Sequence, residues 1–193
     1  MENISQLLDQ LGIKYAIGGA IAQNFWGTVR ATQDVDILIA IPRIRFQELA
    51  EALGKSGCHM LDSLGGAIPV SVEAILAQER DQHFFAIYHG LVKVEIFLPF
   101  IPLQHSILKR AVIMPLGNRK VPITTAEDLI LLKMAYHREK DMLDIRSMIW
   151  NQQGKLDLLY LRGEAATMLS EERIQELENW IARYSRDGTA TPE

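Results

Sequence analysis

The spacing of apolar residues changes along the chain, and the change separates a mixed front part from a helical back part. Near the start, Lys14–Ile17 and Val35–Ile41 are short aliphatic runs of the kind that form strands. Gly18 and Gly19 follow the first run, and Ala20–Trp26 then has the composition of a helix. The pattern therefore predicts a strand, a tight Gly-Gly turn, a helix and a second strand.

The pattern of residues before Thr125 also predicts two hairpins and four further helices. His83–His89 and Leu91–Phe97 flank Gly90, and Ala111–Pro115 precedes Lys120–Ile123 across a four-residue turn. With three glycines and a proline, residues 56–69 are expected to be mostly loop. Helical spacing or composition predicts helices in four further places: Ile4–Leu11, Arg43–Leu53, Val70–Arg80 and Gln104–Arg110.

From Thr125 onward every periodic segment has helical spacing. Helices are predicted from Thr125 to about Arg138, and then over Asp141–Asn151, Leu156–Leu161 and Ser170 to about Tyr184. The expected fold class is α/β (α+β), with a small mixed sheet that carries the Gly-Gly turn, followed by a C-terminal helical segment. We expect an α/β core over residues 1–124, a helical subdomain over 125–186 and a flexible tail over 187–193.

Composition narrows the class of protein. Of 193 residues, 48% are apolar and 23% are charged, which is too apolar for a disordered chain. One cysteine, Cys58, excludes an internal disulfide framework and a cysteine-based zinc site, so a cytoplasmic location is expected. Neither a basic leader nor an uninterrupted apolar run of membrane length is present, and the net charge of −4 disfavours non-specific nucleic-acid binding.

The most informative polar residues are Asp34 and Asp36, which open an otherwise aliphatic strand. Because side chains alternate along a strand, both carboxylates project to the same face. Two carboxylates about 7 Å apart can hold Mg²⁺ together with phosphate oxygens. Two exposed acids at the end of a strand, without a metal, are an equally acceptable interpretation of this pair alone.

Two other features add to this pair. Glu95 interrupts an apolar strand on the face opposite Val94, and it would lie near the aspartates if the two strands were neighbours. As an alternative, it is an edge charge that discourages aggregation. The Gly18-Gly19 turn lets a ligand approach the backbone, and the helix that follows offers an anion site, although a plain tight turn needs the same residues.

These parts, in this order, resemble a known family. The arrangement resembles the signature of the nucleotidyltransferase superfamily, which has a DNA polymerase β-like fold. It consists of Gly18-Gly19, the fourteen residues 20–33 that begin with Ala20, and Asp34-Val35-Asp36. The segment Glu127–Ile145 also resembles the E-D-L-x-x-x-K-x-x-A-x-R-x-K-D-x-x-D segment of small nucleotidyltransferases akin to the AbiEii and MenA-type toxins, except that His137 precedes Arg138.

The resemblance implies a Mg²⁺ (or Mn²⁺) enzyme that transfers a nucleoside monophosphate from an NTP to an acceptor. Asp34, Asp36 and Glu95 would be the catalytic metal ligands, and Gly18 and Gly19 would hold the phosphates. A tRNA, a protein or a small molecule would be the acceptor, and a cognate antitoxin would be a possible partner. A nucleotide-binding protein without turnover, and a metal-dependent phosphodiesterase, are the alternatives.

Cationic residues complete the predicted nucleotide site. Lys133, His137 and Lys140 fall at positions i, i+4 and i+7, so they are expected to share one helical face, with Arg138 nearby. Such a stripe suits a triphosphate, although it is also typical of a solvated face balanced by Asp141 and Asp144. The remaining predicted contacts lie before the metal strand, where Arg30 would reach a phosphate. Thr32 would hydrogen-bond Asp34 or the backbone, and a plain threonine turn is the alternative. Asp141 has only a supporting role, in which it would orient Lys133 or Arg138.

Overall fold

The structure of the protein, a computed structural model, describes residues 2–184, apart from the side chains of Glu2 and Asp81. Within this range the chain forms two compact units. The first contains the described residues up to Ala20 together with Thr32–Thr124, and the second contains Ile21–Ala31 together with the described residues from Thr125 onward. The predicted tail over 187–193 lies outside the described residues.

The first unit is built on one mixed sheet of eight strands. Strands β1–β8 are, in chain order, Lys14–Ile17, Asp34–Ala40, Cys58–Leu61, Ala67–Pro69, Phe84–His89, Val92–Phe97, Val112–Leu116 and Arg119–Ile123. Their spatial order is β4-β3-β5-β6-β2-β1-β8-β7. β2 is parallel to β6 and antiparallel to β1. The predicted fold class, a mixed sheet followed by helices, is confirmed.

Helices cover the sheet and bury its aliphatic residues. α1 (Glu2–Gln10) and α5 (Pro102–Arg110) contact β1, and α5 also contacts β2. α3 (Phe46–Lys55) lies against β3, and α4 (Val72–Gln82) lies against β5. Ile37, Ile39 and Ile96 have no exposed surface. Burial of each such side chain contributes about 1.5–3 kcal/mol, which fixes the central strands that carry the site.

The expectation of a mostly irregular segment over residues 56–69 is wrong, because β3 and β4 lie within it. Cys58 and Met60 are buried while the residues between and after them are half-buried, which is the alternation of a strand. Cys58 pairs with His89 of β5, so the strand is stabilised by a partner distant in sequence. The neighbouring glycines obscure this short pattern at the level of sequence.

The second unit is helical. Its helices α6–α9 span Ala126–Tyr136, Glu139–Asn151, Leu158–Met168 and Glu171–Tyr184, and it also takes the part of α2 (Gly19–Trp26) from Ile21 onward. Thr125 caps α6 by accepting a hydrogen bond from the Asp128 backbone amide. The buried Asp128 carboxylate accepts hydrogen bonds from Tyr160 on α8, at 2.6 Å, and from the Thr125 hydroxyl, at 3.0 Å. This network ties α8 to the start of α6.

Within residues 2–184, no helix is both long enough and apolar enough to span a membrane.

Candidate functional site

Asp34 and Asp36 lie at the start of β2, and the register of the sheet places them beside a second polar pair. Asp34 pairs with Lys93 of the parallel strand β6, and Asp36 pairs with Glu95. Val35 between the aspartates is buried, and Asp34 is exposed. Because registered neighbours project to the same side of a sheet, Asp34, Asp36, Lys93 and Glu95 all belong to one face. The structure thus brings together the three carboxylates singled out in the sequence.

The Gly-Gly turn packs directly against Asp36. The Gly18 amide donates a 2.9 Å hydrogen bond to the backbone carbonyl of Asp36. Gly19 has φ of +54°, and a Cβ at this position would lie 1.6 Å from Oδ2 of Asp36 and 2.6 Å from Cγ. Only glycine fits, both for its backbone conformation and for the space left by the carboxylate. The turn therefore fixes where the Asp36 side chain can be.

Thr32 shapes the entry to β2. Its hydroxyl donates to the backbone carbonyl of Asp34 at 2.9 Å and accepts from the Asp34 amide at 3.3 Å. This is a local turn of the kind that threonine forms with the residue two positions later. Thr32 thus holds the backbone that carries Asp34, rather than its carboxylate.

The sequence reasoning missed Lys93. Its ammonium group donates a 2.5 Å hydrogen bond to Oε1 of Glu95. The Lys93 side chain is 33% exposed and that of Glu95 is 21% exposed, so the ion pair is partly shielded from water. The hydrogen bond to Glu95 raises the pKa of Lys93, and the negative charge of Asp34 also raises it. The signal in the sequence was the spacing Lys-x-Glu within a strand, which puts both side chains on one face.

The side of the sheet that carries Asp34, Asp36 and Glu95, called here the carboxylate face, offers the oxygen ligands that suit a hard divalent cation. Carboxylate oxygens are preferred ligands of Mg²⁺ and Mn²⁺, and the missing side chain of Gly19 leaves the room that Oδ2 of Asp36 occupies. Within the part of the chain that the structure describes, no three carboxylate, histidine or cysteine side chains are already converged as a metal site. Glu95 is instead turned to Lys93.

A second charged cluster lies within the helical unit. Lys133 is 5% exposed and donates to Asp144 at 2.6 Å and to Asp141 at 3.3 Å. Arg30 lies 3.2 Å from the same Asp144 oxygen, and Arg138 donates to Asp141 at 2.6 Å. Three cations and two aspartates are thus linked in one cluster of ion pairs.

The ionisation of Asp141 follows from this cluster. Burial is the largest single effect and opposes ionisation, but the hydrogen bond from Arg138 and the charge of Lys133 together outweigh it and lower the pKa of Asp141. Asp141 is therefore an anion that accepts hydrogen bonds from Lys133 and Arg138. Loss of one partner of a buried ion pair of this kind typically costs about 3–5 kcal/mol.

The prediction that Lys133, His137 and Lys140 share one helical face is wrong. α6 ends at Tyr136, His137 adopts a left-handed conformation with φ of +53°, and Lys140 belongs to α7. His137 pairs at 2.7 Å with Glu176 of α9, apart from the Lys133 cluster. The last carbonyls of α6 accept hydrogen bonds from Arg173, so a distant residue stabilises this helix end.

No protein-family model matches the sequence, and no curated protein sequence matches it. Among solved structures, the chain is similar to an antigenic nucleotidyltransferase-like protein from Paracoccidioides brasiliensis, with a TM-score of 0.52 and 20% identity over 93% of this chain and 88% of that one. It is also similar to ANT(2")-Ia in complex with adenylyl-2"-tobramycin, with a TM-score of 0.50 and 16% identity over 95% of each chain. At these identities the similarity shows that the chain has the fold of nucleotidyltransferases.

Proposed function

We propose that the protein is a Mg²⁺-dependent nucleotidyltransferase that transfers a nucleoside monophosphate from an NTP to an acceptor hydroxyl. The observation that carries the proposal is the register of β2 and β6, which puts Asp34, Asp36 and Glu95 on one face beside the Gly18-Gly19 turn. The nucleotidyltransferase fold supports the same conclusion, since the carboxylates occur on the strands and in the order that the sequence resemblance implies.

Each part of the carboxylate face has a role in this reaction. Asp34, Asp36 and Glu95 would hold Mg²⁺ or Mn²⁺, which when bound stabilises the attacking and leaving oxygens of an in-line displacement. Gly19 leaves room for the Asp36 carboxylate, and the N-terminus of α2 that follows favours the negative phosphate groups. Thr32 keeps the backbone of Asp34 in place.

The chemistry is a phosphoryl substitution. The acceptor oxygen forms a bond to the α-phosphorus, the bond from that phosphorus to the bridging oxygen breaks, and pyrophosphate leaves. The proton of the acceptor hydroxyl passes to the Glu95 carboxylate, to which we assign the activation of this hydroxyl. Such a transfer depends on positioning and charge stabilisation rather than on a covalent enzyme intermediate.

The charged cluster of the helical unit contains three of the cations proposed to contact the nucleotide. Lys133, Arg138 and Arg30 belong to it, and charge-assisted hydrogen bonds from such groups are the ones that bind phosphate. Lys133 is held by two carboxylates, so its contribution to the nucleotide site is as part of an ordered cluster. The predicted nucleotide contact of His137 depended on the shared helical face, and His137 instead ends α6 and pairs with Glu176.

Three acceptor classes follow from the proposal. The structure of ANT(2")-Ia holds an adenylylated antibiotic, which adds support to a small hydroxyl compound as the acceptor. A tRNA and a protein hydroxyl are the other two classes, on the resemblance to small toxin-like nucleotidyltransferases. One observation favours a second function, that of a nucleotide-binding protein without turnover: Glu95 is engaged by Lys93.

The test is label transfer from α-³²P-labelled NTPs with Mg²⁺ or Mn²⁺. The protein is incubated with total tRNA, with aminoglycosides, and alone to detect self-modification. Asp36→Asn is the inactive variant, and Glu51→Gln, at an exposed helical position, is the matched control. Metal-dependent label in wild type and Glu51→Gln but not in Asp36→Asn supports the transferase and identifies its acceptor class. Metal-dependent NTP binding with no transfer to any acceptor would favour the binding protein.

A further inference from the structure

We propose that Lys93 is an internal counter-ion that competes with the divalent cation for Glu95, and that it thereby sets the metal affinity of the carboxylate face. The inference rests on the proposed function, because the competing cation is the metal of that site. It assigns to Lys93 a positioning role: the residue acts through Glu95 and not on the reacting atoms.

The geometry of β6 carries this inference. Lys93 and Glu95 are two residues apart on one strand, so their side chains leave the same face, and their charged groups meet at 2.5 Å. Across the parallel pair, Lys93 is in register with Asp34, and Glu95 is in register with Asp36. The ammonium group is therefore bonded to one of the three proposed metal ligands, on the face of the sheet that carries all three.

The physical reason is charge balance. Three carboxylates on one face repel each other unless a cation lies among them. In the structure Lys93 supplies one positive charge there, and an Oε1 engaged in this short hydrogen bond is not available as a ligand at 2.0–2.1 Å on the same side. A metal that takes Oε1 of Glu95 must displace Lys93, and a metal bound through the other oxygen still meets the repulsion of the neighbouring ammonium group.

The test measures Mn²⁺ binding to the full chain by calorimetric titration and by electron paramagnetic resonance, without any reaction. Lys93→Met removes the charge and keeps much of the side chain's length, and Lys93→Gln is a second neutral variant in case the first folds poorly. Lys93→Arg keeps the charge. Lys120→Met, at an exposed position of β8, is the matched control. Circular dichroism verifies that each variant is folded.

We expect both neutral variants to bind Mn²⁺ at least about tenfold more tightly, since one neighbouring unit charge shifts proton affinity at a carboxyl by a factor of about 10–1,000. Lys93→Arg and Lys120→Met should bind as wild type does. Without metal, the neutral variants should melt at a lower temperature than wild type, and Mn²⁺ should raise their melting temperature by more than it raises that of wild type.

The outcomes separate the two proposals. If Asp36→Asn abolishes Mn²⁺ binding but the neutral Lys93 variants bind as wild type does or more weakly, the role of Lys93 is refuted while the metal site stands. If no variant shows Mn²⁺ binding that depends on Asp36, the proposed function fails, and the role of Lys93 fails with it.

Discussion

The contact between Gly19 and Asp36 permits a sharp test, because Gly18 provides a matched control one residue away. In Gly19→Ala the new methyl group would lie 1.6 Å from Oδ2 and 3.0 Å from Cβ of Asp36. The Cβ atom is close to the backbone of β2 and cannot move far, so the carboxylate must rotate away. In Gly18→Ala the nearest atom outside the chain neighbours is Oγ1 of Thr124 at 3.7 Å, which is ordinary contact.

The two substitutions should therefore differ clearly in stability. A left-handed alanine costs roughly 1–2 kcal/mol, and an off-rotamer Asp36 adds about 0.5–1.5 kcal/mol, so Gly19→Ala should lose roughly 2–3 kcal/mol. For a chain of this length that is a fall in melting temperature of roughly 4–12 °C. Gly18→Ala needs no positive φ and should remain within about 1 kcal/mol of wild type.

Thermal unfolding followed by circular dichroism measures the loss of stability, and Mn²⁺ titration measures the effect on metal affinity. Gly19→Ala should weaken Mn²⁺ binding at least about tenfold, because the displaced oxygen is a predicted ligand; Gly18→Ala should leave it unchanged. Equal stability and equal Mn²⁺ affinity in the two variants would refute the argument that Gly19 is required by the position of Asp36.

Three further predictions concern other parts of the chain. Tyr160→Phe removes a 2.6 Å hydrogen bond to the buried Asp128 and should lower the free energy of unfolding by about 1.5–3 kcal/mol, as measured by urea denaturation, with Mn²⁺ affinity unaltered; a stability equal to that of wild type would contradict it. Burial opposes ionisation of Asp141, but the hydrogen bond from Arg138 and the nearby positive charge lower its pKa, so the stability from its ionised form is present above the ordinary value of 3.8 and is lost as pH falls through the lowered value. Unfolding of Asp141→Asn measured from pH 5 to pH 2 should therefore show a weaker loss of stability than wild type, and parallel curves would argue against this role. Burial raises the pKa of the Cys58 thiol, so maleimide labelling at pH 7 should be slow in the native protein and fast in urea; rapid native labelling would show that the thiol is accessible.

Local sequence patterns predict the centre of the fold because local signals agree with packing there. The aliphatic run after Asp34 forms β2, and the alternation around Glu95 forms β6. The same reasoning failed for β3, a strand of four residues that pairs with β4 and, through Cys58 and His59, with the distant strand β5. It also failed at His137, where no glycine or proline marks the helix end and the terminal carbonyls are satisfied by Arg173, 36 positions later.

In the candidate site, too, local sequence predicts some features, while others depend on contacts between distant residues. Residue types and spacing identify the carboxylates as a possible metal site, but the parallel register that places Glu95 beside Asp36 is a property of the folded sheet. Lys93 was visible only as part of an alternating pattern, and its ion pair with Glu95 depends on two side-chain orientations. Asp141 was suggested as a partner of Lys133 or Arg138, whereas the pairing of Lys133 with Asp144 and its burial were not predicted.

The parallel pairing of β2 with β6 has a kinetic consequence. Asp36 and Glu95 are 59 positions apart, so the two ends of the chain segment between them must come together before the two carboxylates meet. Non-local parallel contacts of this kind form late in folding. A chain emerging from the ribosome carries both aspartates long before it carries the third acid, so a truncated or half-folded product lacks the complete carboxylate face.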